Sequence, residues 1–387
     1  KWVAGNPELG LYDVSREEYV PLDDPACPHL ERGGLTYTRY PCVALVYPGE
    51  TFTFLARLTN SGTYRAIDSR LIDALPAPGD TGVVDPADRG TMWDVPPTLV
   101  APPEVAAPSD GSSADTTITY TSDDPPCADD LSPPASCPDG AWTEPFDPEA
   151  TGFQMYAEFT APGLAPGGSV DVVWEMSSPA DLAEAADPSI AWNSFGHAEL
   201  IDTPGSSTQL GAVEPQKTGV GMVFGDLRVD KKVVAEPGAT VPDGEYELTY
   251  ECTVTPETGD PVVVRSGTAT FTPDEPWTLT GVPAHASCVV YESEDQGGDS
   301  DHGKGDPVTI LVEWHGVGET SATTITNTFP SPPSPPTPPD GGGGDEPPGA
   351  DDALPVTGGR YGIALFAGLA ALLTGAVLIA AVRRREN

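Results

Sequence analysis

Six cysteines are the residues whose type and spacing most directly imply chemistry. They fall as three local pairs: Cys27 and Cys42, Cys127 and Cys137, Cys252 and Cys288. No pair has CxxC spacing, which argues against zinc knuckles and thioredoxin-like redox sites. An even count in an exported chain favours disulfides. Six cysteines allow 15 pairings, and the sequential one is expected because its partners are local. The five histidines, His29, His197, His285, His302 and His315, are scattered. There is no HExxH, no GxSxG and no glycine loop that opens a helix to cradle phosphate. Asp295, Asp299, Asp301 and Asp306 crowd one stretch but lack the DxDxDG order of a calcium loop, so a solvated loop is expected there. The chain is therefore not read as an enzyme, and no catalytic residue, cofactor or metal ligand is assigned.

The elements around these residues are written in the composition. The 387 residues suffice for two or three domains with a real core. Asp and Glu number 59 against 18 Lys and Arg, a formal charge of −41. Such a chain repels nucleic acid and anionic lipid, and its acidic side chains keep an exposed protein soluble. With 45 Pro and 42 Gly, turns, linkers and short strands are expected rather than helices.

The C-terminus carries the strongest pattern. Tyr361 to Val382 is 22 residues without a charge, and about 20 apolar residues span a bilayer as a helix. Arg383, Arg384 and Arg385 follow, in a tail 383–387 that the positive-inside rule puts in the cytoplasm. Before the span stands Leu354-Pro355-Val356-Thr357-Gly358. Pro355 fixes its own φ and biases Leu354 to an extended shape. The order of motif, apolar span and basic tail resembles the LPxTG sorting signal of Gram-positive surface proteins. That resemblance implies a transient partner, sortase, whose Cys thiolate attacks the Thr357 carbonyl and releases the piece from Gly358 onward. It further implies a covalent partner, peptidoglycan, joined through Thr357, with the membrane holding the precursor only until cleavage. A plain single-pass membrane protein is the alternative. Because the signal requires export, either a processed signal segment or a longer parent protein is expected upstream of Lys1. Residues 330–353 are Pro- and Gly-rich, read as a polyproline II wall-spanning linker with a glycine joint.

Residues 226–329 read as a β-sandwich. Leu227, Val229, Lys231 and Val233 alternate with Arg228, Asp230 and Lys232. Tyr246, Leu248, Tyr250, Cys252 and Val254 form a second run, and Cys288, Val290 and Glu292 share a face of a later strand. Ile325, Asn327 and Phe329 share a face of the last. The pieces Val229-Asp230-Lys231-Lys232-Val233, Tyr250-Glu251-Cys252, Ser287-Cys288-Val289-Val290-Tyr291-Glu292 and Thr326-Asn327-Thr328-Phe329 resemble Cna B-like, prealbumin-like domains of actinobacterial surface proteins. The resemblance implies an intramolecular isopeptide bond from a first-strand Lys to a last-strand Asn, assisted by an acid on a middle strand. Carried over, these are Lys231, Asn327 and Glu292. Parity agrees, since all three share faces with apolar neighbours. Burial lowers a Lys pKa and raises a Glu pKa, so a neutral amine would attack the amide carbon while a protonated acid polarises its oxygen. A buried Lys231–Glu292 ion pair without the bond is the alternative.

Residues 35–225 read as an Ig-like sandwich with a loop-rich insertion. Phe52, Phe54, Ala56 and Leu58 alternate, as do Phe153, Met155, Ala157 and Phe159, and Val170, Val172, Trp174 and Met176. Leu58-Thr59-Asn60-Ser61-Gly62 and Ile72-Asp73-Ala74-Leu75-Pro76 loosely resemble Ig-like repeat domains of bacterial envelope proteins, which implies a sandwich. Residues 1–34 show little periodicity and read as a partial or irregular segment. Trp174 is expected in the core, and Trp142, in a polar loop, at the surface. The fold class is thus all-β, with tandem Ig-like and Cna B-like sandwiches followed by linker, sorting motif and one transmembrane helix. The expected role is a wall-anchored adhesin or stalk with an unknown host or glycan ligand. A sortase-polymerised pilin is the alternative, although Val213-Glu214-Pro215-Gln216-Lys217 departs from the pilin-type lysine motif. The non-catalytic part of a surface hydrolase is a third reading.

Overall fold

Alternating apolar residues make almost every segment a strand with one face to bury. The structure, a computed structural model, describes residues 1–132, 137–183, 186–314, 316 and 320–333. The sorting motif 354–358, the apolar span 361–382, the tail 383–387 and the linker beyond Pro333 lie outside the described residues. Among the described residues no helix is long and apolar enough to cross a membrane. One 3-10 turn, Asp129–Leu131, is the helical element there; everything else regular is β.

The first sandwich is built from β1 (Trp2–Ala4), β2 (Leu11–Asp13), β3 (Glu18–Val20), β4 (His29–Arg32), β5 (Leu35–Thr38), β6 (Cys42–Val46), β7 (Thr51–Thr59) and β8 (Ala66–Ala74). It continues with β9 (Thr98–Leu99), β10 (Glu104–Val105), β11 (Ala114–Thr121), β12 (Gly152–Phe159), β13 (Ser169–Ser177), β14 (Ser189–Thr203), β15 (Ser206–Gln209) and β16 (Thr218–Met222). One sheet runs β10-β13-β7-β1-β5-β4, with β9 also on β13. The other runs β11-β12-β8-β14-β16-β6-β2-β3, with β15 on β14. Phe54, Trp174, Met176, Phe153, Met155 and Leu71 fill the space between them, all essentially unexposed. The alternation forecast for 52–58, 153–159 and 170–176 falls in β7, β12 and β13.

Residues 1–34 are not an irregular segment. Trp2, Val3 and Ala4 pair with Leu55, Phe54 and Thr53 of β7, and β2 pairs with β6. Strands of three or four residues are too short to show a period of two in sequence, so only tertiary pairing reveals them. Trp142 is likewise not a free surface residue: it packs against Ile72, Leu131 and Ala198.

The second sandwich comprises β17 (Phe224–Ala235), β18 (Tyr246–Val254), β19 (Val262–Phe271), β20 (Trp277–Pro283), β21 (Ser287–Glu294), β22 (Asp299–Ser300), β23 (Val308–Leu311) and β24 (Ser321–Phe329). Its sheets are β20-β17-β24-β22 and β19-β18-β21-β23. First and last long strands, β17 and β24, are parallel neighbours, in register from Leu227 opposite Ser321 to Ala235 opposite Phe329. The region expected as a loop after Glu292 contains β22, which pairs Asp299 and Ser300 with Thr328 and Asn327.

Only Val223 separates β16 from β17, and it is fully buried. It joins Leu9 and Leu45 of the first sandwich to Ala284 and Trp314 of the second in one apolar cluster. Tyr19 meets Trp314 edge to face at 4.8 Å, and Tyr47 stacks on His285 at 3.6 Å between centroids. Glu257 Oε2 accepts from Thr51 N and Oγ1 at 3.0 and 2.7 Å, and Arg265 pairs with Asp181. Gly49 has φ +78° and lies so close that a Cβ would stand 2.8 Å from Pro256 Cα, so a side chain there would force the sandwiches apart.

The cysteines pair as Cys27–Cys42, Cys127–Cys137 and Cys252–Cys288. The last bridges directly opposite residues of β18 and β21. Peptide mapping without reductant is expected to return these three linked peptides, and free thiols or a Cys27–Cys127 link would contradict them. Cys27 and Cys42 are 15 residues apart. Replacing both by Ser should cost about 3 kcal/mol in urea unfolding, the loop-closure value for that length.

Candidate functional site

Lys231 sits on β17 at the parity of Leu227 and Val229, which aims its side chain into the core. Glu292 holds the parity of Cys288 and Val290 on β21, in the facing sheet, and Asn327 that of Ile325 and Phe329 on β24. Pairing of β17 with β24 brings Asn327 beside the lysine, opposite Val233. The three residues are brought into contact. Lys231 Nζ donates to Asn327 Oδ1 at 2.5 Å and to Glu292 Oε1. The Lys231 and Glu292 side chains are 0% exposed, and Asn327 is buried equally.

The surroundings are apolar. The ammonium nitrogen stands 4.2 Å from the Tyr246 ring centroid and 5.3 Å from that of Phe271. Desolvation depresses the Lys231 pKa, against the opposing pull of Glu292. Asn327 Nδ2 donates to the Asp295 carbonyl at 2.9 Å, which fixes which end of the amide faces the lysine. Among the described residues Glu292 Oε2 has no hydrogen-bond partner. Gly298 lets the covering loop close over the site: a Cβ there would lie 3.1 Å from Asn327 Cβ and 2.9 Å from the Phe329 ring. Chemically, a buried amine is held against an amide carbonyl, with a carboxylate on the amine.

The remaining candidates lie elsewhere. Asp295 and Asp301 hold turns, accepting from Gly297 N at 2.8 Å and Thr326 N at 2.7 Å. Among the described residues no group of three or more His, Cys, Asp or Glu converges on a metal position. Lys217 is half-buried; its amine donates to the Arg89 carbonyl and lies 4.5 Å from the Trp192 ring centroid. Sequence reasoning missed a second buried lysine, Lys1, whose amine donates to Asp73, the carboxylate that also accepts from Asn193 Nδ2. The available signal was Asn193 at the parity of the apolar Ala191 and Phe195.

Residues 227–330 match a family described as a domain of unknown function, DUF5979. No curated protein matches the chain in sequence. Among solved structures, it is similar to a variant of BcpA, the major pilin subunit of Bacillus cereus, with 11% identity, 73% of this chain and 65% of that one covered and a TM-score of 0.39. It is similar to the Corynebacterium diphtheriae major pilin SpaA at 10% identity, covering 73% and 65%, with a TM-score of 0.28. A third is an adhesin of Mobiluncus mulieris containing intramolecular disulfide, isopeptide and ester cross-links, at 12% identity, 72% and 90% coverage and a TM-score of 0.27. The chain thus spans 65% of the length of the first two. The likeness is one of β architecture alone.

Proposed function

We propose that this chain is a surface protein fixed covalently to the cell wall, serving as a stalk or adhesin module whose membrane-proximal sandwich is locked by a Lys231–Asn327 isopeptide bond. The observation that carries the reading is the buried contact of Lys231 on β17 with Asn327 on the parallel neighbour β24 and with Glu292 on β21 of the facing sheet. In the proposed step the neutral amine attacks Asn327 Cγ while Glu292 takes the amine proton and returns one to the departing amide nitrogen. One C–N bond forms, one breaks and ammonia leaves. Force applied at the two ends of the domain then runs through covalent linkage instead of the hydrogen-bond ladder.

Attachment to the wall rests on the order of Leu354–Gly358, the apolar span and the arginines. Sortase is the transient partner, peptidoglycan the acceptor, and the membrane the holding site of the precursor, with its C-terminus cytoplasmic. Protein released from the wall by muramidase is expected to end at Thr357 by mass spectrometry, and Thr357→Ala should strand the chain in the membrane fraction. An intact Arg383–Asn387 tail on the mature surface protein would refute this attachment. The position of Lys217, turned onto the Arg89 carbonyl, speaks against polymerisation through that residue. A single wall-released band on a denaturing blot supports the stalk; a ladder resistant to detergent would mean a pilus.

A further inference from the structure

The larger sheet of the first sandwich ends, on one side, in β11. This strand pairs with β12 in unbroken register, from Ala114 opposite Phe159 to Thr121 opposite Gly152. Its far edge is met at one point, where Tyr120 and Thr143 exchange backbone hydrogen bonds at 2.8 Å. Backbone groups alternate in direction along a strand, so Ala114, Thr116 and Ile118 aim N–H and C=O the same way as Tyr120, away from β12. Among the described residues those groups have no backbone partner. An edge of this kind is a template for another strand.

The other sheet ends are guarded. β3, β4, β10, β22 and β23 are two to four residues long. The long edges β19 and β20 are tied to each other, Arg265 Nη2 donating to the Gly281 carbonyl at 3.2 Å. β11 has eight residues and neither a Lys nor a Pro to blunt it.

The two faces of β11 specify what would fit. On the inner face Ala114 and Ile118 are half-buried against the core, as are Val105 and Phe146. On the outer face Asp115 is exposed and stands directly opposite Glu158 of β12, which is exposed too. Like charges in that position repel, and among the described residues neither carboxylate has an ion-pair partner. Between Arg89 and Lys217 the sequence contains no Lys or Arg, so the run of chain that builds β9 to β15 brings no cation to this edge.

We propose that β11 docks an extended, cationic polypeptide as an added strand. Its backbone pairs with Ala114, Thr116 and Ile118. Lysine or arginine side chains on its outer face answer Asp115 and Glu158, and apolar ones on its inner face cover Ala114 and Ile118. Backbone pairing supplies the affinity and the alternation supplies the selectivity. A second copy of this chain is the poorer occupant, because it would set its own Asp115 against the same carboxylates in a chain of formal charge −41. The site lies in the first sandwich alone, so it stands or falls apart from the wall attachment and the Lys231–Asn327 bond.

The test is titration of the full chain with a short, end-capped peptide alternating lysine and valine, followed by amide hydrogen exchange. Binding is expected to weaken with added salt and to slow exchange at Thr116 and Ile118. The same peptide N-methylated at alternate residues, with its charge intact, should bind roughly tenfold more weakly or worse. Thr116→Pro removes an N–H that β12 does not use and should weaken binding similarly. Asp115→Lys keeps every backbone group and reverses the charge beside Glu158, and it too should weaken the cationic peptide roughly tenfold. Equal affinity for the N-methylated peptide, or unchanged exchange along β11 at saturation, would overturn the added strand. Wild-type affinity in Asp115→Lys would overturn the charge preference. A chain that dimerises without peptide and protects the same amides would replace the cationic partner by a second copy and overturn the proposal.

Discussion

The intact mass of Glu292→Ala is expected to exceed the value predicted from the wild-type mass and the substitution by one ammonia. The wild-type contact holds the Lys231 amine 2.5 Å from the Asn327 carbonyl oxygen, with Glu292 Oε1 accepting from that amine. Removing Glu292 takes away neither bonding partner, so a regained ammonia reports the reaction and not the loss of a reactant. Lys231 and Asn327 are 96 residues apart. Opening a covalent loop of roughly 100 residues removes about 4–5 kcal/mol of loop-closure stabilisation. Burying a lysine without its carboxylate adds to that cost. Denaturant unfolding should therefore move by at least this amount, with the chief loss in the second sandwich. A wild type whose Lys231 and Asn327 peptides separate in the digest would leave only the buried ion pair.

Trp174→Ala is expected to cost about 3–5 kcal/mol, the range for deleting a large buried aromatic. Trp174 is 1% exposed and lies at the centre of the first core. Its ring meets that of Phe153 at 5.1 Å and that of Phe54 at 5.5 Å, and it stands opposite Phe54 in the β7–β13 ladder. Neighbouring strands are pinned by long pairing and cannot collapse into the void. Trp174→Phe keeps the aromatic wall and removes an indole N–H that, among the described residues, has no partner, so its cost should be well below that of the alanine variant. Chemical denaturation of both variants checks this; equal stabilities would mean that the ring is not part of the core.

Period-two alternation made the β character legible because the long strands each keep one apolar face. β7, β13 and β17 are of this kind, with Phe52 to Leu58, Val170 to Met176 and Leu227 to Lys231 buried at every second position. The same parity turned Lys231, Glu292 and Asn327 inward before any contact was known. What alternation cannot carry is pairing between very short strands. β1 offers three residues, Trp2 to Ala4, and nothing local distinguishes them from a loop. Lys1, Asp73 and Asn193 meet through long-range pairing of β1 with β7 and of β14 with β8. Asp73 shares parity with the buried Leu71 and Leu75, and Asn193 with Ala191 and Phe195. A polar residue on each apolar face was visible in sequence; that the two faces meet was not.

The junction at Val223 has a consequence for proteolytic turnover of the protein. Proteases cleave where backbone can be drawn out as an extended segment, and joints between tandem domains usually offer one. Here strand follows strand with a single buried residue between them, and Leu45, Ala284 and Trp314 close over it. For a protease, the two sandwiches are one substrate, because the joint between them offers no extended segment to draw out.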